Sequence, residues 1–369
     1  MNETVCSIRE KLVALVFVVM IGGFLFLSFA TPDPLLLKSE RRAPSKLPPI
    51  TLETVASGEF MDKFNNYAAD SFPFRESFRS FSSLLVFGVY MQSDKNGLYL
   101  DANGAGAFRA IYTESINQLI AKVETVAASL GDVKAYYAYI PDKSIYSIRW
   151  HPGFDPALVE LALADSVSMD ELVFINLAEV LNADSFYRTD LHWKQEELDG
   201  VMNVLGSAMG FESDMSGYSE EYAGKLEGVY SGQLALSIGM DDIYFRSSAF
   251  LKAAYLNERT NELEPGPVYD HNKLFGIDAY DFFLCGAQPL IILENTNAET
   301  ERELYLFRDS FSSSLAPLLA TGYSKVVLID LRYIDIRTLG EYVNFKLGSD
   351  ALFLYSSLVM SNPDILLVR

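Results

Sequence analysis

From Leu12 to Ala30 the chain reads LVALVFVVMIGGFLFLSFA, nineteen positions without a charge. As a helix, that length crosses a hydrocarbon layer of roughly 30 Å. Being apolar all round, extremely N-terminal and followed by prolines, it is predicted to be a membrane anchor rather than a core helix. A cleaved signal peptide is the competing reading, since Ser28, Phe29 and Ala30 offer small residues at cleavage spacing, although the apolar run exceeds the usual length. Thr31 to Pro49 carry prolines and clustered basic residues without apolar periodicity, the pattern of an extended tether.

Beyond the tether the pattern changes to that of a folded domain. Phe74, Phe78, Phe81 and Leu85 recur at helical spacing and are expected to pack into a core. Asn-Gly pairs at both ends of a short apolar run predict a strand pair between Asn96 and Ala107. Ile116, Leu119, Ile120, Val123, Val126, Ala127 and Leu130 mark a helix over 113–130, and Gly131 suits its stop. VKAYYAYIP and LVFINL read as buried strands separated by a helix-capable segment. ELYLF, SSSLAPLLATG, KVVLIDL and ALFLYSS repeat the alternation, which predicts an α/β fold with a parallel sheet flanked by helices. The stretch from about 212 to 288 is less regular and reads as an insertion over one sheet edge. The expected order is a tail at 1–11, an anchor at 12–30, a tether at 31–58 and an α/β domain at 59–369.

Charge and cysteine content narrow the partners. Asp and Glu outnumber Lys and Arg by 49 to 29, a net charge of −20 that repels phosphate backbones, so no nucleic acid partner is expected. Cys6 and Cys285 fall on opposite sides of the apolar segment, which argues against a disulfide framework. Arg9 and Lys11 precede that segment, while Lys38, Arg41, Arg42 and Lys46 follow it. Long domains translocate largely regardless of such charges, so the large domain is expected outside the cell membrane.

In open α/β sheets, reactive residues collect beyond the carboxyl ends of strands. Three polar stretches hold those positions: Tyr187-Arg188-Thr189-Asp190-Leu191-His192-Trp193, Arg308-Asp309-Ser310-Phe311 and Leu331-Arg332-Tyr333. A serine hydroxyl needs a base within hydrogen-bond reach, itself oriented by a carboxylate, and Ser310, His192 and Asp190 are the right types. Asp190 and His192 on an extended loop could point the same way while Leu191 points away. Amides of the turn after Ser310 could meet a developing oxyanion. The alternatives are an Asp190 that caps a helix starting near Trp193, a His192 that is only a satisfied polar residue, and a Ser310 that merely opens a helix. Arg332 could steady negative charge in the same cleft or form a surface ion pair. Tyr187, Arg188 and Trp193 could make a sugar platform or brace the loop. His151, His192, His271 and Cys285 are too scattered for a zinc site, and no phosphate loop or dinucleotide fingerprint follows a strand, so no metal or cofactor is expected.

TDLHW, RDSFSSSLAPLL and IDLRY, in this order after an N-terminal anchor and DSFPFR, resemble the membrane-anchored bacterial DHHW family. That family is similar to the SGNH-hydrolase-like alginate O-acetyltransferase components, which act beside a membrane-bound O-acyltransferase. The resemblance implies an SGNH-like fold in which Asp190 orients, His192 is the base and Ser310 the nucleophile. It implies acetyl transfer, through an acyl-serine, to a hydroxyl of an exported or cell-surface polysaccharide. The chain departs from the family at Leu191, where His is usual, and at Ala287 and Ser313, where Asn is expected. If either Asn serves the oxyanion site, a donor is lost, and a weak or inactive glycan-binding scaffold becomes the rival reading.

Overall fold

KAYYAYI, LVFIN, ELYLFR, KVVLI and DALFLYS pair in parallel as the heart of an eight-stranded sheet in the computed structural model, which describes residues 2–147 and 172–368. In chain order the strands of this sheet are β1 (Lys134–Ile140), β2 (Leu172–Asn176), β3 (Leu251–Asn257), β4 (Glu262–Gly266), β5 (Leu290–Asn295), β6 (Glu303–Arg308), β7 (Lys325–Ile329) and β8 (Asp350–Ser356). Their spatial order is β2-β1-β8-β6-β7-β5-β3-β4. The three strands β5, β3 and β4 join antiparallel at one edge. The segment from 212 to 288 therefore does two things: it adds β3 and β4 to that edge, and it forms a separate hairpin of Ser219–Leu226 with Asp241–Ser247. Pro265 is compatible with β4 because β4 is the edge strand.

Successive residues of the central strands point to opposite faces, and both faces are covered. Tyr305 and Phe307 of β6 pack on one side with Phe353, Tyr137 and the apolar stripe of helix Thr113–Ser129. Leu304 and Leu306 pack on the other with helices Asp199–Met209 and Ser312–Leu319. This two-sided burial is why the parallel strands read as continuous apolar runs. The helix-capable segment between β1 and β2, with the candidate ligand His151, lies outside the described residues, as does the side chain of Cys6.

The chain divides into two compact units, Met1–Tyr90 with Gly232–Leu236, and Met91–Ser231 with Ser237–Arg369. The second holds the sheet. In the first, a helix runs over Asn2–Ala30, and its stretch Ile8–Ser28 is long and apolar enough to cross a membrane. Helices Glu59–Asp70 and Arg75–Leu84 follow. Arg42 forks onto the buried Asp70 carboxylate at 2.8 and 2.6 Å, holding that acid well below the usual carboxylate range. Arg42 is thus no free positive charge beside the apolar segment. The aromatic stripe of the Arg75–Leu84 helix departs from the sequence expectation: Phe74, Phe78 and Phe81 are exposed rather than in a core.

Candidate active site

Residues 186–193 form a tight reversal in which Phe186 and Trp193 bridge antiparallel and the Tyr187 amide donates to the His192 carbonyl at 3.0 Å. Asp190 and His192 lie on its inner side. One Asp190 oxygen, Oδ1, pairs with His192 Nδ1 at 2.7 Å and accepts from the His192 amide at 3.1 Å. The other, Oδ2, accepts from the Val229 amide at 2.9 Å. The 3-10 turn Gln195–Glu197 and the helix Asp199–Met209 follow this loop, with Lys194 and Leu198 at their N-caps, so Asp190 caps neither. Asp190 is fully buried, which fits a carboxylate meant to orient an imidazole rather than to exchange protons with water.

Ser310 comes to this pair across 118 positions of sequence: His192 Nε2 lies 2.8 Å from Ser310 Oγ. The serine stands between the end of β6 and helix Ser312–Leu319, at the carboxyl edge of the parallel strands. Asp309, just before it, accepts from the Ser356 amide at the end of β8 and so fixes the turn to the neighbouring strand. Asp190, His192 and Ser310 therefore form one continuous hydrogen-bonded chain, with only Ser310 partly open to solvent.

Three aromatic or amide side chains join the acid–base loop to the serine helix. Trp193 Nε1 donates to the Phe311 carbonyl at 2.9 Å and to Ser314 Oγ at 3.0 Å. Gln195 donates to the Ser314 carbonyl at 2.5 Å. Tyr280 stacks flat on the His192 ring, centroids 3.7 Å apart, and donates its hydroxyl to Ser314 Oγ at 2.9 Å. Trp193 and Tyr187 are wholly buried, so both brace the loop and neither offers a face to a sugar. The Arg188 side chain is exposed, and its carbonyl accepts from the Ala105 amide.

Lys143 lies beneath the loop. Its ammonium, 2.6 and 3.0 Å from the carbonyls of Tyr187 and Asp190, donates to both, and burial draws it down to about 8 against the opposing pull of Asp190, Asp142 and Asp241. Asp241 accepts from the Arg188 and Thr189 amides and the Thr189 hydroxyl. Gly228 approaches the loop closely: its amide donates to Thr189 Oγ1 at 2.8 Å, and a Cβ there would fall 2.2 Å from the Thr189 carbonyl. The sequence reading does not single out Lys143, although it follows β1 as Ser310 follows β6 and the strand-end rule applies to it as well. Tyr280 and Gly228 sit in the irregular segment, where periodicity gives no signal.

The oxyanion side differs from the sequence expectation. The Phe311 amide is committed to Asp309 Oδ1, the Ser312 amide to the Asp309 carbonyl and the Ser313 amide to the Ser310 carbonyl. Ser313 Oγ accepts from the buried Arg308 at 2.6 Å, and Arg308 also donates to the Gly286 carbonyl at 3.1 Å. Arg332 is held in a fork by Asp330 at 2.8 and 2.6 Å, an ion pair that raises its pKa although burial works the other way. Next to this cluster an open cavity of about 540 Å³ is lined by Tyr255, Asn257, Arg259, Ala287, Gln288 and Tyr333, among others. Among the described residues no group of three His, Cys, Asp or Glu side chains could hold a metal ion.

No family model and no curated protein matches the sequence. Solved structures do. Bacillus cereus PatB1 aligns with TM-score 0.59 at 18% identity, covering 74% of this chain and 99% of PatB1. A second PatB1 structure, with a sulfonyl adduct, gives 0.58 at 17%, covering 74% and 98%. A DHHW family protein from Eubacterium siraeum gives 0.57 at 16%, covering 74% and 94%. The O-acetyltransferase domain of Pseudomonas putida AlgJ gives 0.42 at 13%, covering 72% and 92%, a likeness too distant to weigh. This chain shares its fold with PatB1 and with that DHHW family protein.

Proposed function

We propose that this protein is a membrane-anchored, extracytoplasmic O-acetyltransferase or acetylesterase acting on a cell-surface or exported polysaccharide through an acyl-serine. The observation that carries the reading is the chain Asp190–His192–Ser310, at 2.7 and 2.8 Å. Ser310 Oγ attacks the acetyl carbonyl of the donor while His192 Nε2 takes its proton, and Asp190 stabilises the imidazolium through Nδ1. Collapse of the tetrahedral adduct breaks the donor's acyl–oxygen bond, and His192 returns the proton to the departing oxygen. An acceptor hydroxyl then loses its proton to His192 and attacks the acetyl-serine. Ser310 leaves as an alkoxide and regains that proton. Water in place of the sugar gives hydrolysis instead.

The resemblance in TDLHW and RDSFSSSLAPLL supports acetyl as the group and a glycan as the acceptor. In this reading a membrane-bound O-acyltransferase supplies the acyl group, and Ile8–Ser28 keeps the catalytic unit at the membrane. The cavity lined by Tyr255, Asn257, Gln288 and Tyr333 suits a sugar, since tyrosine faces and side-chain amides are what pyranose rings bind. On the expected outcome, Ser310→Ala stays folded but releases no acetate from a chromogenic acetyl ester. Unchanged turnover in that variant removes the proposal. The commitment of the amides after Ser310 favours a second reading, a glycan-binding scaffold with little or no turnover. Glycan retention by Ser310→Ala, together with no adduct on the wild type under sulfonyl fluorides, selects it.

A further inference from the structure

Helix Arg75–Leu84 is built inside out for a helix in water. Arg75, Arg79 and Ser83, four residues apart, make one stripe, and that stripe faces the protein. Arg79 donates to the carbonyls of Gly232 and Gln233 at 3.0 and 2.9 Å, Ser83 donates to the carbonyl of Leu234, and Arg75 pairs with Glu40. The opposite stripe carries Phe74, Phe78 and Phe81, which remain 64, 47 and 60% exposed. A surface helix in water buries the apolar stripe and shows the polar one. Here both choices are reversed, the arrangement expected where the outer medium is itself apolar.

The same aromatic face is continuous with the apolar N-terminal helix. Phe24, one turn before the end of Ile8–Ser28, lies 5.4 Å from the Phe72 ring and 5.9 Å from that of Phe78. The neighbouring basic groups are already matched, Arg42 by Asp70 and Arg79 by Glu76. The face thus offers aromatic surface, and neither of these two arginines is left free to attract anionic headgroups. We propose that Phe72, Phe74, Phe78 and Phe81 lie in the interfacial layer of the bilayer against acyl chains, so that helix Arg75–Leu84 rests flat on the membrane beside the anchor. This rests on reading Ile8–Ser28 as a span and is independent of the acyl-transfer chemistry.

Full-length protein in phosphatidylcholine nanodiscs tests it, with nitroxides placed singly by Phe78→Cys, Phe81→Cys, Val16→Cys and Asn65→Cys on a background of Cys6→Ser and Cys285→Ser. Collisions with oxygen and with a water-soluble nickel complex are compared. The expected result is an oxygen-to-nickel ratio several-fold higher at 78 and 81 than at the exposed polar position 65, and higher still at 16. A ratio at 78 and 81 equal to that at 65 places the face in water and overturns the inference. Low collision with both agents at 78 and 81 means protein covers it, a second copy or another partner, and overturns it too. Nickel access at 16 removes the span and the inference with it.

Discussion

His192 is held from three directions: Asp190 fixes its Nδ1, Tyr280 fixes its plane, and Ser310 takes the remaining nitrogen. Such fixing is what lets a weak nucleophile react without reorganising its base. Lys143 supports this from below. Its folded pKa of about 8 lies below the unfolded value near 10.4. The unfolded chain therefore holds more protons between those values, and stability rises with pH through that window. Lys143→Met has no such proton, so the wild type should gain on it by on the order of 2–3 kcal/mol between about pH 7.5 and about pH 10 in urea melts. An equal gap at both pH values would mean that the fold does not lower the pKa of the lysine. The oxyanion side yields a second expectation. Ala287 is exposed at the cavity and Ser313 is engaged by Arg308. If the missing amide donor limits turnover, Ala287→Asn raises kcat on an acetyl ester by about tenfold or more with KM little changed. An unchanged kcat would mean that other groups meet the oxyanion.

Among the elements, the central strands were legible because burial on both faces leaves no polar alternation, as in ELYLF and KVVLI. Helix Thr113–Ser129 was legible by its apolar stripe. β3 and β4 were not, because LKAAYLN and ELEPG mix exposed charges with a proline at an antiparallel edge. The aromatic stripe of Arg75–Leu84 was read correctly as helical but assigned to a core, since sequence spacing cannot say which medium covers a face. In the candidate site, strand ends pointed to Asp190, His192 and Ser310. The grip of residues 228–230 on the acid–base loop left no mark in the sequence. That grip gives an element-scale expectation. The Cβ of Gly228→Ala would meet the Thr189 backbone at 2.2 Å, which neither segment can yield cheaply. The variant should lose about 2 kcal/mol or more of stability, and activity should fall further than the stability loss explains, because Val229 also holds Asp190. Wild-type stability and turnover in Gly228→Ala would refute the grip.

For the whole molecule, an apolar N-terminal helix and an α/β unit with a hydrogen-bonded Ser–His–Asp chain are the two parts that the proposed work at a membrane surface requires. The net charge of −20 disfavours phosphate-rich partners, and a neutral acetyl group or sugar hydroxyl meets no such barrier. In the proposed reaction Ser310 carries the acyl group. Acid quenching during turnover of an acetyl ester, followed by peptide mass spectrometry, tests it most directly. One acetyl group is expected on the peptide bearing Ser310 in the wild type and none in His192→Gln. Continued turnover with no acetyl on Ser310, or with the acetyl on another residue, would contradict it.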